Sequence, residues 1–331
     1  MSQIRQNIIT KQWVIFAPGR GKRPHTTKSS KAGKKPARRG KKCPFCPGNE
    51  KMLPRILNEL KDRGDKTWRV RVVCNKYPAL LPGESTERFK KDMYPVMRGY
   101  GEHEVIIESP EHDADIANMP VKQIKTVIEA YHARYIALKR SGKNLTISIF
   151  RNHGIKAGTS LEHPHSQIIA ANIIPFYIRI KEREAERYFD DWGRCIYCDA
   201  MDFERRDGKR IIAENDSFLV FVPFAASLPF ETWIMPKRHR SDFSSISGRE
   251  KSDLAFMLHN ILSRICKVLD NPDYNYVIHT FTRHKSRERH LHWHIEVKPR
   301  IITRAGFEIG SGININPYMP EDNAYVLKNS K

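Results

Sequence analysis

The sequence predicts an α+β fold made of two tandem, related domains, and three observations carry that expectation. Short apolar runs with strand-like alternation are interspersed with longer stretches whose apolar residues recur at helical spacing. The order of these segments in the first half returns in the second, beginning each time at a Cys-x-x-Cys pair and ending in alternating histidines. Finally, Glu104-Val-Ile-Ile-Glu-Ser-Pro-Glu-His112 lies without a gap over Glu231-Thr-Trp-Ile-Met-Pro-Lys-Arg-His239, each segment preceding a helix. A chain of 331 residues can bury a large core and accommodates two ordinary domains. Internal duplication is the simplest account.

In chain order, Gln12 to Ala17 reads as an early strand, and a basic stretch leads from it to Cys43-Pro-Phe-Cys46, where a small metal-stapled lobe begins. Trp68 to Cys74 and His103 to Glu108 read as strands. Val121 to Lys139 reads as a helix and Leu145 to Phe150 as a further strand. The segment His163-Pro164-His165-Ser166-Gln167 runs on into the apolar Ile168-Ile169-Ala170. After the pair Cys195 and Cys198, strands are expected at Arg210 to Val222 and Thr232 to Met235, a helix from Arg249 to Leu269, and a strand at Tyr274 to His279. The charged stretch Ile180 to Trp192 has helical periodicity and is expected to be a linker helix, which puts the domains at 1–180 and 181–331.

No run of 18 apolar residues exists, and Met1 to Asn7 lacks the basic-then-apolar order of a secretory signal, so a soluble cytoplasmic protein without a membrane anchor is expected. Two of the six cysteines, Cys74 and Cys266, read as core thiols. The other four form Cys-x-x-Cys pairs that read as metal knuckles more readily than as disulfides in a histidine-rich intracellular chain. The net charge is +21, from 58 basic and 37 acidic residues. Eleven basic residues lie between Arg20 and Lys42 with no acid among them. Such a run is usually a solvated loop, and it is also open to polyanions, either nucleic acid or the phosphates of a nucleotide.

Cys43, Cys46, His112 and His163 supply two thiolates and two imidazoles, a set that suits tetrahedral zinc and leaves no open coordination position, as in a structural site. On an extended strand His163, His165 and Gln167 project from one face. A ligand at His163 would therefore position His165 two residues away, with the Gln167 amide able to donate to a phosphate oxygen beside it. A neutral imidazole is a nucleophile without a separate base when one nitrogen is free and the other is held as N–H. A sugar phosphate leaves readily without a strong acid, so a glutamine suffices at the third position. Upstream, Asn152, Gly154, Gly158, Thr159 and Ser160 offer an amide, backbone N–H groups and hydroxyls to cradle anionic oxygens.

The pattern His163-x-His165-x-Gln167, preceded by Asn152-x-Gly154-x-x-x-Gly158-x-Ser160, resembles the signature of galactose-1-phosphate uridylyltransferases, members of the histidine-triad superfamily. The resemblance extends to Gln12-Trp13-Val14 with Arg20-Gly21-Lys22-Arg23-Pro24 and to Ala305-Gly306-Phe307-Glu308-Ile309-Gly310-Ser311-Gly312. It implies two tandem histidine-triad-like domains, each an antiparallel sheet with flanking helices, and a homodimer. It implies a nucleotidyl bond to His165, zinc on Cys43, Cys46, His112 and His163, and phosphate contacts from Gln167, Gly158 and Ser160. Arg20, Arg23, Asn75 and Asn152 would hold the nucleotide, and Glu308 and Asn314 would approach the sugar.

In the second half, Cys195, Cys198, His239 and a further histidine resemble the second zinc site of phosphorylase-like relatives. Equal intervals favour His290, whereas laying His-Pro-His over His292-Trp-His294 favours His292. Other relatives bind a metal here through a Glu and three histidines, for which His279, His292 and His294 are available. The second copy lacks the Pro and Gln of the first and reads as a degenerate structural repeat.

The leading expectation is ping-pong exchange. UDP-glucose charges His165, glucose-1-phosphate leaves, and galactose-1-phosphate takes the uridylyl group to give UDP-galactose. The segment Asn75-Lys76-Tyr77-Pro78-Ala79-Leu80 has a form familiar among ADP-sugar phosphorylases. That keeps an alternative with ADP-glucose or a diadenosine polyphosphate as donor and phosphate as acceptor. A third expectation, of another class, is a basic nucleic-acid-binding zinc protein.

Overall fold

The structure is a computed structural model that describes residues 1–22, 43–64, 67–281 and 288–330. Its first half carries β1 (Gln3–Gln6), β2 (Trp13–Phe16), β3 (Ile56–Leu60), β4 (Val70–Cys74), β5 (Arg88–Lys91), β6 (Tyr94–Met97), β7 (Gly101–Ile107), α1 (Val121–Arg140), β8 (Thr146–His153) and β9 (His165–Ala171). The second half carries α2 (Phe176–Trp192), α3 (Ile196–Asp207), β10 (Ile211–Glu214), β11 (Phe218–Phe221), β12 (Thr232–Pro236), α4 (Gly248–Leu269), β13 (Tyr274–His279), β14 (His294–Pro299), α5 (Gly306–Ser311), β15 (Asn314–Asn316) and α6 (Pro320–Asn329).

Ten strands form one antiparallel sheet in the order β10-β11-β12-β14-β13-β8-β9-β7-β4-β3. Read outward from the β13–β8 junction, each side repeats one pattern, so the duplication is visible in the topology. The registers make the correspondence numerical. Val277 pairs with Glu296 as Phe150 pairs with Gln167, which sets β13 127 residues after β8 but β14 129 residues after β9. The connection into β14 is therefore two residues longer than its counterpart. β1, β2 and β15 form a separate small sheet, with β15 parallel to β2.

Helices α1 and α4 lie side by side on one face of the large sheet, and their apolar rows explain why. Ile124, Val127, Ile128, Tyr131, Tyr135 and Leu138 recur along α1, and Leu254, Leu258, Ile261, Leu262 and Ile265 along α4; all are buried against Ile149, Ile168, Val220 and Ile295. A capping box between Ser247 and Glu250 starts α4, and Asp270 in the left-handed region ends it.

The opposite face differs between the halves. In the second half α2 and α3 cover it, burying Ile196, Tyr197 and Met201 on Leu219, Phe221, Trp233 and Met235. Strands β11 and β12 are consequently buried on both faces and, Thr232 apart, are apolar. In the first half, among the described residues, the Cys43–Cys46 turn lies on that face, with Phe45 packed on Val73, Val105 and Ile107.

The linker helix starts at Phe176 rather than Ile180, and the expected boundary at 180/181 falls inside it. Arg210 to Val222, expected as one strand, is the hairpin β10–β11. The Asn215 side-chain oxygen accepts from the Ser217 and Phe218 N–H groups and folds Asn-Asp-Ser into a turn that the apolar pattern hides. Among the described residues no helix is long and apolar enough to cross a membrane.

Candidate functional site

The Cys43–Cys46 turn, the end of β7 and the entry to β9 bring Cys43, Cys46, His112 and His163 together, with their ligand atoms all within 4.8 Å of one another. Cys46 Sγ is 3.3 Å from His112 Nδ1 and 3.6 Å from His163 Nδ1; the two Nδ1 atoms are 3.3 Å apart, and Cys43 Sγ is 3.8 Å from His163 Nδ1. Bond lengths of about 2.0 Å to nitrogen and 2.3 Å to sulfur put tetrahedral edges at roughly 3.3–3.8 Å, so the donor set fits a four-coordinate metal. His163 Nε2–H donates to the Ser109 carbonyl at 2.8 Å, which turns Nδ1 to the cluster. Burial pushes His163 down to about 4, towards the neutral form that a ligand needs.

His165 stands one strand repeat further along β9, 7% exposed. Its Nδ1–H donates to the His163 carbonyl at 2.8 Å, so the lone pair is on Nε2. Burial lowers its pKa, and the hydrogen bond and the nearby Glu108 only partly oppose this. The imidazole is therefore neutral and aimed, and the Phe45 ring holds its edge at a centroid distance of 5.3 Å.

Gln167 follows on the same face, with its Oε1 accepting from His103 Nε2–H at 2.7 Å. The Ala79 N–H donates to His103 Nδ1 at 3.1 Å, which fixes that tautomer. The Gln167 carbonyl being occupied, its NH2 is the end left for an anion. The Asn75 amide nitrogen lies 3.1 Å from His103 Nε2, a donor beside a donor, so Asn75 is a neighbour of this pair and not a link in it. His103 and Phe45 had not been expected here. The signal for His103 is a lone polar residue alternating with Val105 and Ile107 on an otherwise apolar strand face; for Phe45 the sequence gives none.

Behind β9, on the helix face, Ser166 bonds the fully buried Glu108, which also accepts from Tyr131 at 3.0 Å and from Arg151 Nε at 2.9 Å. Arg151 continues to Asp115 at 2.8 Å. The residue between His165 and Gln167 is thus fixed to the core by a charged network.

Asn152 lies at the end of β8, and the loop after it reaches Gly158 in the left-handed region, with Ser160 exposed beyond. The structure does not bring every expected residue to His165. Arg20 is exposed on the turn after β2, Asn314 pairs with Val14 in the small sheet, and the Glu308 carboxylate accepts from the Ala305 N–H at the start of α5. Arg23 and most of the basic segment 20–42 lie outside the described residues.

In the second half Cys195, Cys198, His239 and His292 form a matching group. Cys198 Sγ is 3.2 Å from His239 Nδ1 and 3.4 Å from His292 Nδ1. His290 contributes its carbonyl, which accepts from Cys195 Sγ, rather than its ring; the equal-interval alignment fails because the loop before β14 is longer. His279, His294 and Glu296 gather apart from His292, at the register positions of Asn152, His165 and Gln167. Here His294 is fully buried, its ring 5.0 Å from both Trp233 and His279 and 5.2 Å from Tyr197. Glu296 takes the place of the glutamine and is salt-bridged to Lys181 at 2.6 Å. The second histidine strand is closed by α2 and α3, and the open site is the first one.

The family model described as galactose-1-phosphate uridyl transferase, N-terminal domain, matches residues 1–175, and its C-terminal counterpart matches 181–328. ADP-glucose phosphorylase from Arabidopsis thaliana is 35% identical over 98% of this chain and 92% of its own length. Galactose-1-phosphate uridylyltransferase from Thermotoga maritima is 28% identical over 100% of this chain and 99% of its own. The crystal structure of an Arabidopsis thaliana ADP-glucose phosphorylase with bound ADP-glucose superposes with a TM-score of 0.87 at 34% identity, covering 100% of this chain and 99% of that one.

Proposed function

The chain belongs to the galactose-1-phosphate uridyl transferase family, and from that premise we propose that it transfers a nucleotidyl group between phosphate-bearing substrates through a covalent bond to His165. The observation that carries this reading is the His165 imidazole, with Nδ1–H bound to the His163 carbonyl and Nε2 open. In the first half-reaction Nε2 bonds to the nucleotide's α-phosphorus as the bond to the sugar-phosphate oxygen breaks, and the sugar-1-phosphate departs with that electron pair. In the second, an oxygen of the acceptor phosphate attacks the same phosphorus and frees His165. The Gln167 NH2, the Asn152 amide and the backbone of the Gly154–Gly158 loop stabilise the phosphate oxygens as charge develops. The Cys43, Cys46, His112 and His163 set is assigned to zinc, which would hold the strand entry in place; the Cys195, Cys198, His239 and His292 set is assigned to a second zinc. Gly158, Ser160 and Asn75 are assigned to substrate on the same reading. Arg20, Arg23, Glu308 and Asn314 are assigned on sequence resemblance alone.

The donor and acceptor of the leading reading are UDP-glucose and galactose-1-phosphate, in keeping with the family and the Thermotoga maritima relative. A second reading has ADP-glucose as donor and inorganic phosphate as acceptor, giving ADP and glucose-1-phosphate. It is favoured by the higher identity to the Arabidopsis thaliana phosphorylase and by the superposition on its ADP-glucose complex. Turnover with each donor, crossed with galactose-1-phosphate and phosphate as acceptors, separates the two. Turnover of UDP-glucose with galactose-1-phosphate supports the first reading; phosphorolysis confined to ADP-glucose replaces it with the second. Membership across both halves displaces the expectation of a nucleic-acid-binding zinc protein.

A further inference from the structure

We propose that the closed second half serves the open site as a buttress, with Asp273 and Asn275, at the start of β13, holding the phosphate loop of the first half and aiming Asn152. This rests on the function proposed above. Asn275 pairs with Asn152 across the β13–β8 junction. Its Nδ2 donates to Asn152 Oδ1 at 2.8 Å and to the Ala157 carbonyl at 2.8 Å. Both hydrogens of that one amide are thereby spent on the two ends of the loop. With its oxygen occupied, Asn152 has its NH2 left to donate, and this group lies beside Gly158, where a Cβ would be 3.9 Å from it. The opposite amide orientation would set two donors against each other, so Asn275 fixes which end of Asn152 an anionic oxygen meets.

Asp273 acts on the loop's other flank. Its Oδ2 accepts from the Lys156 N–H at 2.6 Å, and its own carbonyl accepts from the Arg300 N–H at 2.7 Å, anchoring it to the end of β14. The approach is possible only over a glycine. Gly154 sits at φ +84°, and a Cβ there would come within 2.0 Å of Asp273 Oδ1. A carboxylate repels a phosphate, so Asp273 belongs to the scaffold of the loop and not to its ligand. The device runs one way. At the corresponding first-half positions stand Ser148 and Thr146, and the Thr146 hydroxyl donates instead to the Ile173 carbonyl. Asp273 and Asn275 are positioning residues for the site on β9, which gives the half-chain whose own histidine strand is covered by α2 and α3 a task in the reaction.

The test is a double-mutant cycle on the single-turnover rate of nucleotidyl-His165 formation, with zinc content and thermal midpoint measured alongside. Asn275→Leu should slow that step by about 10–100-fold at saturating donor, the scale of a small misplacement in an active site, with a smaller change in donor affinity. In an Asn152→Ala background the same substitution should cost less than about threefold, because it acts through Asn152. Losses that multiply, or an Asn275→Leu enzyme as fast as wild type, overturn the proposal. Amide hydrogen exchange is the second readout. Residues 156–159 should exchange faster in Asn275→Leu and in Asp273→Ala while β9 stays protected, and unchanged exchange also overturns it. A wild-type protein that forms no adduct overturns the function proposed above, and the exchange comparison then decides the buttress separately.

Discussion

At the scale of residues, His165 differs from His294 in its surroundings, not in its chemistry. Each donates Nδ1–H to the carbonyl two positions back, at 2.8 Å and 3.1 Å, and burial lowers the pKa of each. What separates them is access and the third residue, an amide in one copy and a salt-bridged carboxylate in the other. His165→Ala is expected to abolish nucleotidyl transfer while retaining the metal content and thermal midpoint of wild type; a variant with residual adduct would place the nucleophile elsewhere. Gln167→Ala, which removes one aimed donor, should slow transfer by about 10²–10³-fold, read as kcat with each donor. The strand alternation of His163, His165 and Gln167 was legible in the sequence because period-two geometry is local. Phe45 and Asn275 were not, because each arrives from a different strand or turn and only the fold sets Phe45 against His165 and Asn275 against Asn152; His103 stood out only as a lone polar residue on an apolar strand face.

Among the elements, β9 is held from both faces: on one by the cysteine turn and its histidines, on the other by Ser166 and the Glu108–Arg151 pair. Arg151→Met leaves the Glu108 carboxylate buried without its partner, and a broken buried pair costs about 3–5 kcal/mol. Chemical denaturation should show a loss of that order, and one below about 1 kcal/mol would mean that the network does not anchor the strand. Cys46→Ser should lower the zinc content from two equivalents towards one and cut transfer, whereas unchanged zinc by elemental analysis would remove Cys46 from the site. The helices at 121–140 and 248–269 were legible from their apolar spacing. Helix α3 was not, because the cysteine pair at its start reads equally as a free knuckle. That helix, with α2, is what closes the second histidine strand.

For the whole molecule, the duplication read from sequence becomes a single ten-stranded sheet with its halves meeting at β8 and β13. The two-residue difference between the copies showed in the sequence only as the open choice between His290 and His292, because the extra length lies in a connection, where pairing leaves no mark on the sequence. The ends of the chain are clasped together. Arg5 bonds Glu321 at 2.9 Å, and Arg210 bonds the same carboxylate at 2.7 Å, tying β1 and the hairpin start to α6. Burial pushes Glu321 up, but hydrogen bonds from Arg5 and Arg210 outweigh it and hold its pKa below the ordinary 4.5. Its folded value being the lower one, its contribution to stability is complete above the unfolded value and is lost as pH falls through the folded value. The thermal midpoint of Glu321→Gln should therefore lie below that of wild type at neutral pH and converge on it as pH falls through the folded value; a gap that widens on acidification would contradict the clasp. The central claim is the covalent histidine, and peptide mass spectrometry after incubation with UDP-glucose or ADP-glucose tests it most directly. A nucleotidyl mass on the peptide containing His165, absent from His165→Ala, is the expected result. No adduct with either donor, or an adduct that persists in His165→Ala, would contradict it.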